Sequence, residues 1–194
     1  MTRSSILLSF LSPVIAGGIL VSFASCATQA PAPFALCHLR DDNGNPIPAT
    51  FAGALNPSHQ GHAATHVVLV QKAETACCDG FDCIAFTCEG FHHPTWRVRY
   101  VHPPIQQCAS GNNIGVAGNA FLQISMDTAQ AHTDAGQPTI TDRDRQLNCR
   151  NLKQLVLICD FEAKVGFVFV LDSKKPYRVV ELQNPSRLVV DVKN

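Results

Sequence analysis

The chain has 194 residues, with 15 Lys and Arg set against 15 Asp and Glu. That length holds one ordinary domain plus an export segment and a tether. The balanced charge gives no strong pull toward nucleic acid or an anionic lipid surface, so nucleic acid is not expected as a partner. Charged residues make up only 15 %, against ~25 % in a typical soluble protein, and none lies between Arg3 and Arg40.

The N-terminus accounts for part of that deficit. Arg3 gives a short positive start, and Ile6 to Phe23 is uncharged and largely apolar. Phe23-Ala24-Ser25-Cys26 follows. Small residues before a cut site suit a signal peptidase. The pattern resembles the lipobox of bacterial lipoproteins, with Phe23 in the place of the usual aliphatic residue. The resemblance implies a signal peptide over residues 1–25 and a lipid on Cys26. It also implies attachment to the outer face of the cell membrane through that lipid. An uncleaved membrane anchor is the competing reading, and it also leaves the rest of the chain outside.

Residues 26–65 then read as the lipidated Cys followed by a flexible linker. Pro31, Pro33, Pro46, Pro48 and Pro57 fall there among many Ala, Asn and Gly, with no period of 2 or 3.6. Such a composition keeps a chain extended and unpacked.

From His66 onward the apolar pattern turns to period 2. Strands are expected at 66–70, 83–88, 96–100, 121–126, 155–159, 165–171, 177–182 and 188–192. They are rich in Val, Ile, Phe and Tyr and separated by turn residues such as Gln183-Asn184-Pro185-Ser186. In the third, Trp96, Val98 and Tyr100 share one face and Arg97 and Arg99 the other, the pattern of a half-buried antiparallel strand. Thr128 to Asn151 reads as a long polar connection. Eight short strands predict an all-β chain whose domain, residues 66–194, is a small β-sandwich. Phe81 to Val98 is echoed weakly by Phe161 to Val179, each a strand, a turn and a strand opening on aromatic-Arg-Val.

The C-terminal run from Phe167 through Tyr177-Arg178-Val179 to Asn184-Pro185-Ser186-Arg187-Leu188-Val189-Val190-Asp191 resembles the AMIN family. Gly80-Phe81-Asp82, Trp96 to Tyr100 and Asp160-Phe161-Glu162 look more like the AMIN-like variant found in actinobacterial envelope proteins. The resemblance implies an AMIN-like β-sandwich of two sheets. It also implies a non-catalytic module that recognises peptidoglycan or another envelope component. Cys83 departs from the pattern, standing where the family more often has Arg.

Nine cysteines are many for a cytosolic protein of this size and fit an oxidising compartment. With Cys26 set aside, Cys37, Cys77, Cys78, Cys83, Cys88, Cys108, Cys149 and Cys159 remain, and sequence leaves their pairing open. Adjacent Cys77 and Cys78 do not suit one tetrahedral ion, so no metal is expected on them. His59, His62 and His66 read as solvated linker residues, and His92-His93 as an exposed turn. No nucleophile elbow, His-Glu-x-x-His or phosphate-binding glycine loop is present, so neither catalysis nor a cofactor is expected. The ligand-binding candidates are Arg187 and Asp191 on the last strand, and Trp96 and Tyr100 as stacking residues. Trp96 and Tyr100 also suit the core, and Arg187 and Asp191 also suit cross-strand ion pairs. The reading is a wall-binding envelope lipoprotein. The alternative is a structural partner subunit of a membrane-associated complex.

Overall fold

The computed structural model describes residues 33–51, 55–63 and 66–194. The expected signal peptide and the lipid site Cys26 lie outside the described residues. A one-turn helix, α1 (Pro33–Cys37), precedes the strands. The strands are β1 (Ser58–Gln60), β2 (Val68–Cys77), β3 (Phe81–Cys88), β4 (Thr95–Val101), β5 (Ala120–Asp127), β6 (Ala129–Gln130), β7 (Asp144–Gln146), β8 (Leu152–Phe161), β9 (Lys164–Leu171), β10 (Tyr177–Leu182) and β11 (Arg187–Lys193). They form a six-stranded sheet, β1-β4-β5-β9-β8-β7, and a five-stranded sheet, β10-β11-β3-β2-β6. The protein is an all-β sandwich, as expected. Each of the eight expected strands is present.

Three short strands were not expected. Two of them, β6 and β7, fall within the connection read as polar. Strand β2 also runs further than its sequence suggests. A register shift between Val70 and Lys72 breaks the alternation there, so the apolar phase disappears while the pairing continues to Cys77.

The inner faces of the sheets meet in one apolar core. Phe86 of the smaller sheet lies 4.9 Å from Phe167 of the larger, ring centre to ring centre. Tyr177 is buried beside them and donates its hydroxyl hydrogen to a carbonyl, with those of Asn56 and Val98 at 2.6 and 2.9 Å. The sequence echo has a structural counterpart. Strand β3 sits in the smaller sheet and β4 in the larger, whereas β9 sits in the larger and β10 in the smaller.

Each sheet also has an outer face that is covered at least in part. On the smaller sheet, Phe81, Cys83, Ala85, Leu182 and Val189 form a second apolar cluster with Leu36 and Leu39, and Ile47 and Phe51 pack against it. The expected unpacked linker is therefore corrected for its described part: residues 33–51 are a cover, and β1 pairs with β4. Its apolar residues are irregularly spaced, and a coil can bury such residues without any period to betray it. Asp41 shapes the cover's turn by accepting the Asn43 and Asn45 N–H groups at 3.0 and 2.7 Å.

Three disulfides join six of the eight described cysteines: Cys37–Cys78, Cys77–Cys149 and Cys108–Cys159. Neighbouring Cys77 and Cys78 thus clamp two different segments. The Cys37–Cys78 bridge closes a separation of 41 residues. Replacing both with Ser is expected to remove about 2–4 kcal/mol of stability. Thermal unfolding checks this, and limited proteolysis should cut first within 38–50.

Candidate functional site: a polar groove on the larger sheet

The outer face of the larger sheet is only half covered. Ile105, Ile114 and Val116, from the segment between β4 and β5, pack over Val156, Ile158, Val168 and Val170. Beyond them lies an open groove of about 440 Å³.

The register explains its composition. Strand alternation that buries Trp96, Val98 and Tyr100 inward sends Arg97 and Arg99 outward. Arg97 pairs with Ser125, Ser125 with Gly166, and Gly166 with Cys159. One row thus crosses four strands, from a guanidinium to the Cys108–Cys159 bridge. Arg99 pairs with Gln123 in the next row. Gly166 leaves the floor of the groove without a side chain. A Cβ there would lie 3.1 Å from that of Cys159. A glycine inside a central strand marks a place where another group comes close to the backbone.

The charge in the groove is net positive. Lys164 is paired with Asp127 at 2.5 Å. Among the described residues, Arg97 and Arg99 are exposed and have neither an ion-pair nor a hydrogen-bond partner. Two residues apart on a strand, their Cα atoms are about 7 Å from one another. The groove can therefore hold two anionic oxygens of an extended ligand, since a guanidinium matches carboxylate and phosphate geometry.

The four residues singled out from the sequence do not form one site. Trp96 is 8 % exposed and faces the core, and its indole N–H donates to Glu181 Oε1 at 2.6 Å. Burial alone would raise the Glu181 carboxyl, but the hydrogen bonds from Trp96 and His62 outweigh it and hold the group below its usual range. Tyr100 is half-buried. It donates to the Lys175 carbonyl, and burial raises its phenol. Asp191 has no exposed surface and pairs with Arg178, not with Arg187. Arg187 is half-buried on the same outer face as Asp191.

The histidines also differ from expectation. His62 is half-buried against Glu181, and His93 is buried rather than exposed. The sequence signal for Arg97 and Arg99 was their alternation with Trp96 and Tyr100. It showed that they point outward but not that they flank an open groove.

Cys83 and Cys88 are buried thiols. Burial pushes Cys88 up to about 12 and Cys83 well above the ordinary thiol range. Neither is the exposed, acidified thiol that redox chemistry needs. Cys77, Asp82 and Cys149 come together, but the two sulfurs are bonded to each other and offer no thiolate to a metal. No helix among the described residues is long and apolar enough to cross a membrane.

The family model of the AMIN-like domain matches residues 68–194. No curated protein and no solved structure matches the chain.

Proposed function

The chain belongs to the AMIN-like domain family, and from that membership we propose a non-catalytic, extracytoplasmic binding module that holds a cell-wall polymer in the Arg97–Arg99 groove. The observation that favours this groove is its pair of exposed guanidinium groups, unpartnered among the described residues, above a floor left open by Gly166. Peptidoglycan fits as the ligand because its peptides present carboxylates along an extended polymer. Cys26 is read as the lipid-bearing residue that keeps the module at the membrane.

The test is co-sedimentation of the detergent-solubilised full chain with purified sacculi. The wild type is expected to bind saturably. Arg97→Ala/Arg99→Ala alters only exposed side chains, so it should fold normally. A charged hydrogen bond contributes about 1.5–3 kcal/mol, and ~1.4 kcal/mol is tenfold in affinity. The variant should therefore bind at least about tenfold more weakly. Lys174→Ala, outside the groove, should bind like the wild type. No saturable binding by the wild type would sink the wall ligand and favour the partner-subunit reading instead.

A further inference from the structure

Four of the chain's eight histidines line one small pocket: His62 and His66 ahead of β2, and His92 and His93 between β3 and β4. Glu181 and Gln183 from the end of β10 complete its wall, around about 180 Å³ of space. The pocket is separate from the arginine groove and shares no residue with it.

His62 is fixed through its backbone. Its N–H donates to Thr95 Oγ1 at 2.9 Å, and that hydroxyl donates back to the His62 carbonyl at 3.1 Å. Its ring Nε2 lies 2.7 Å from Glu181 Oε1.

The tautomer of His93 follows from its neighbours. Ser186 Oγ donates to the His92 carbonyl at 3.1 Å, so at 3.2 Å it accepts from His93 Nδ1–H. Gln183 Nε2 donates to His93 Nε2 at 3.0 Å, which places the lone pair on that nitrogen. A neutral imidazole whose other nitrogen donates to a fixed oxygen is the arrangement found behind metal-ligating histidines. The Gln183 carboxamide oxygen is buried with no hydrogen-bond partner among the described residues, so the amide gives up little if it moves.

The ring spacings within each pair are near those of a shared ion, but among the described residues the ligand atoms of this pocket do not yet converge, so the side chains must turn to meet one ion. Two imidazoles bound at about 2.0–2.1 Å to one tetrahedral ion hold their ring centres roughly 5 Å apart. The His66 and His92 centres are 4.8 Å apart, and those of His62 and His93 are 5.8 Å apart.

We propose that this pocket binds one divalent transition-metal ion of the zinc class, with His62, His93 and Glu181 as ligands and His92 or His66 as the fourth. A set dominated by imidazole favours zinc, nickel and copper over magnesium and calcium, and zinc also accepts one carboxylate. Coordination replaces the Gln183–His93 hydrogen bond and turns the exposed His66 and His92 rings inward. The bound ion ties the segment before β2 to the β3–β4 connection and to β10.

Trp96 is the only tryptophan in the chain, and its indole donates to the proposed ligand Glu181. Its emission therefore reports on the pocket. The experiment titrates Zn²⁺ into the chelator-treated full chain in detergent, following Trp96 emission and direct binding by calorimetry. The wild type is expected to take up one equivalent at about 10 μM or tighter, with a saturating emission change and a raised Tm. Mg²⁺ should do neither. His62→Ala/His92→Ala and, separately, Glu181→Gln should each weaken zinc binding at least about tenfold. His59→Ala, outside the pocket, should leave it unchanged. No saturable zinc binding by the wild type up to about 1 mM would overturn the site. So would pocket variants that fold and bind zinc like the wild type. No sacculi are present, so the result is independent of the wall-ligand reading.

Discussion

Asp191→Ala is expected to destabilise the domain by about 3–5 kcal/mol, because it leaves a buried guanidinium without its counter-charge. Asp191 is fully buried. Its Oδ2 accepts from both Nε and Nη2 of Arg178, each at 2.7 Å. The pair joins β10 to β11, where Arg178 and Asp191 are direct cross-strand partners. The cover closes over it. Arg178 also donates to the Pro48 carbonyl, and its guanidinium lies 5.6 and 5.9 Å from the rings of Phe51 and Phe81.

Burial raises the Asp191 carboxyl more than Arg178 lowers it. The pair is thus a desolvated one whose worth depends on both members being present. Truncating one partner should be far worse than replacing both with apolar residues of similar volume. Arg178→Met/Asp191→Leu is expected to recover most of the lost stability, because the desolvation of both charges disappears with them. Urea unfolding of the three variants checks this, with the midpoint reporting stability and the slope confirming a common native state. A ligand-contacting Asp191 would give the opposite pattern: a stable Asp191→Ala variant that loses binding to sacculi.

The contrast between Asp191 and Arg97 shows how far the sequence could be read. Both project from the outer face of a sheet, Arg97 on a strand of clean alternation and Asp191 on one where Val189 also points outward. The alternation was enough to find the eight strands and the core, because inward positions are apolar wherever two sheets meet. It could not say which outer face stays open. That is decided by residues 33–51 on one sheet and by the segment between β4 and β5 on the other. Their buried residues, such as Leu36, Leu39 and Ile105, follow no period. The cover hides Asp191 and half-hides Arg187, while the second segment stops short of Arg97 and Arg99. The histidine pocket was illegible for a related reason. His62 and His93 come from separate segments, and only the placement of the β3–β4 connection beside the end of β10 brings them to Glu181.

Asp82→Ala is the second substitution with a large expected effect, also about 3–5 kcal/mol. Asp82 is fully buried at the start of β3. Its Oδ2 accepts the N–H groups of Asn151 and Leu152, both at 2.7 Å, and its Oδ1 accepts from the Asn194 side chain at 3.2 Å. Removing the carboxylate orphans two buried backbone donors, at about 1–3 kcal/mol each, and takes away one of the hydrogen bonds that hold Asn194. Asp82→Asn keeps one carbonyl oxygen for them and should lose only about 1–2 kcal/mol. Thermal and urea unfolding of the two variants should rank them in that order.

Each residue of Gly80-Phe81-Asp82 has a structural task. Gly80 adopts φ +85°, a conformation that favours glycine, and closes the turn into β3. Phe81 packs beneath Phe51 and Arg178. Asp82 pairs across the strands with Cys77, whose disulfide to Cys149 draws the same 149–152 segment inward. On this account the motif reports the fold and not a ligand. An Asp82→Ala variant of unchanged stability that no longer bound sacculi would reverse that conclusion and move the binding site to this end of the sandwich.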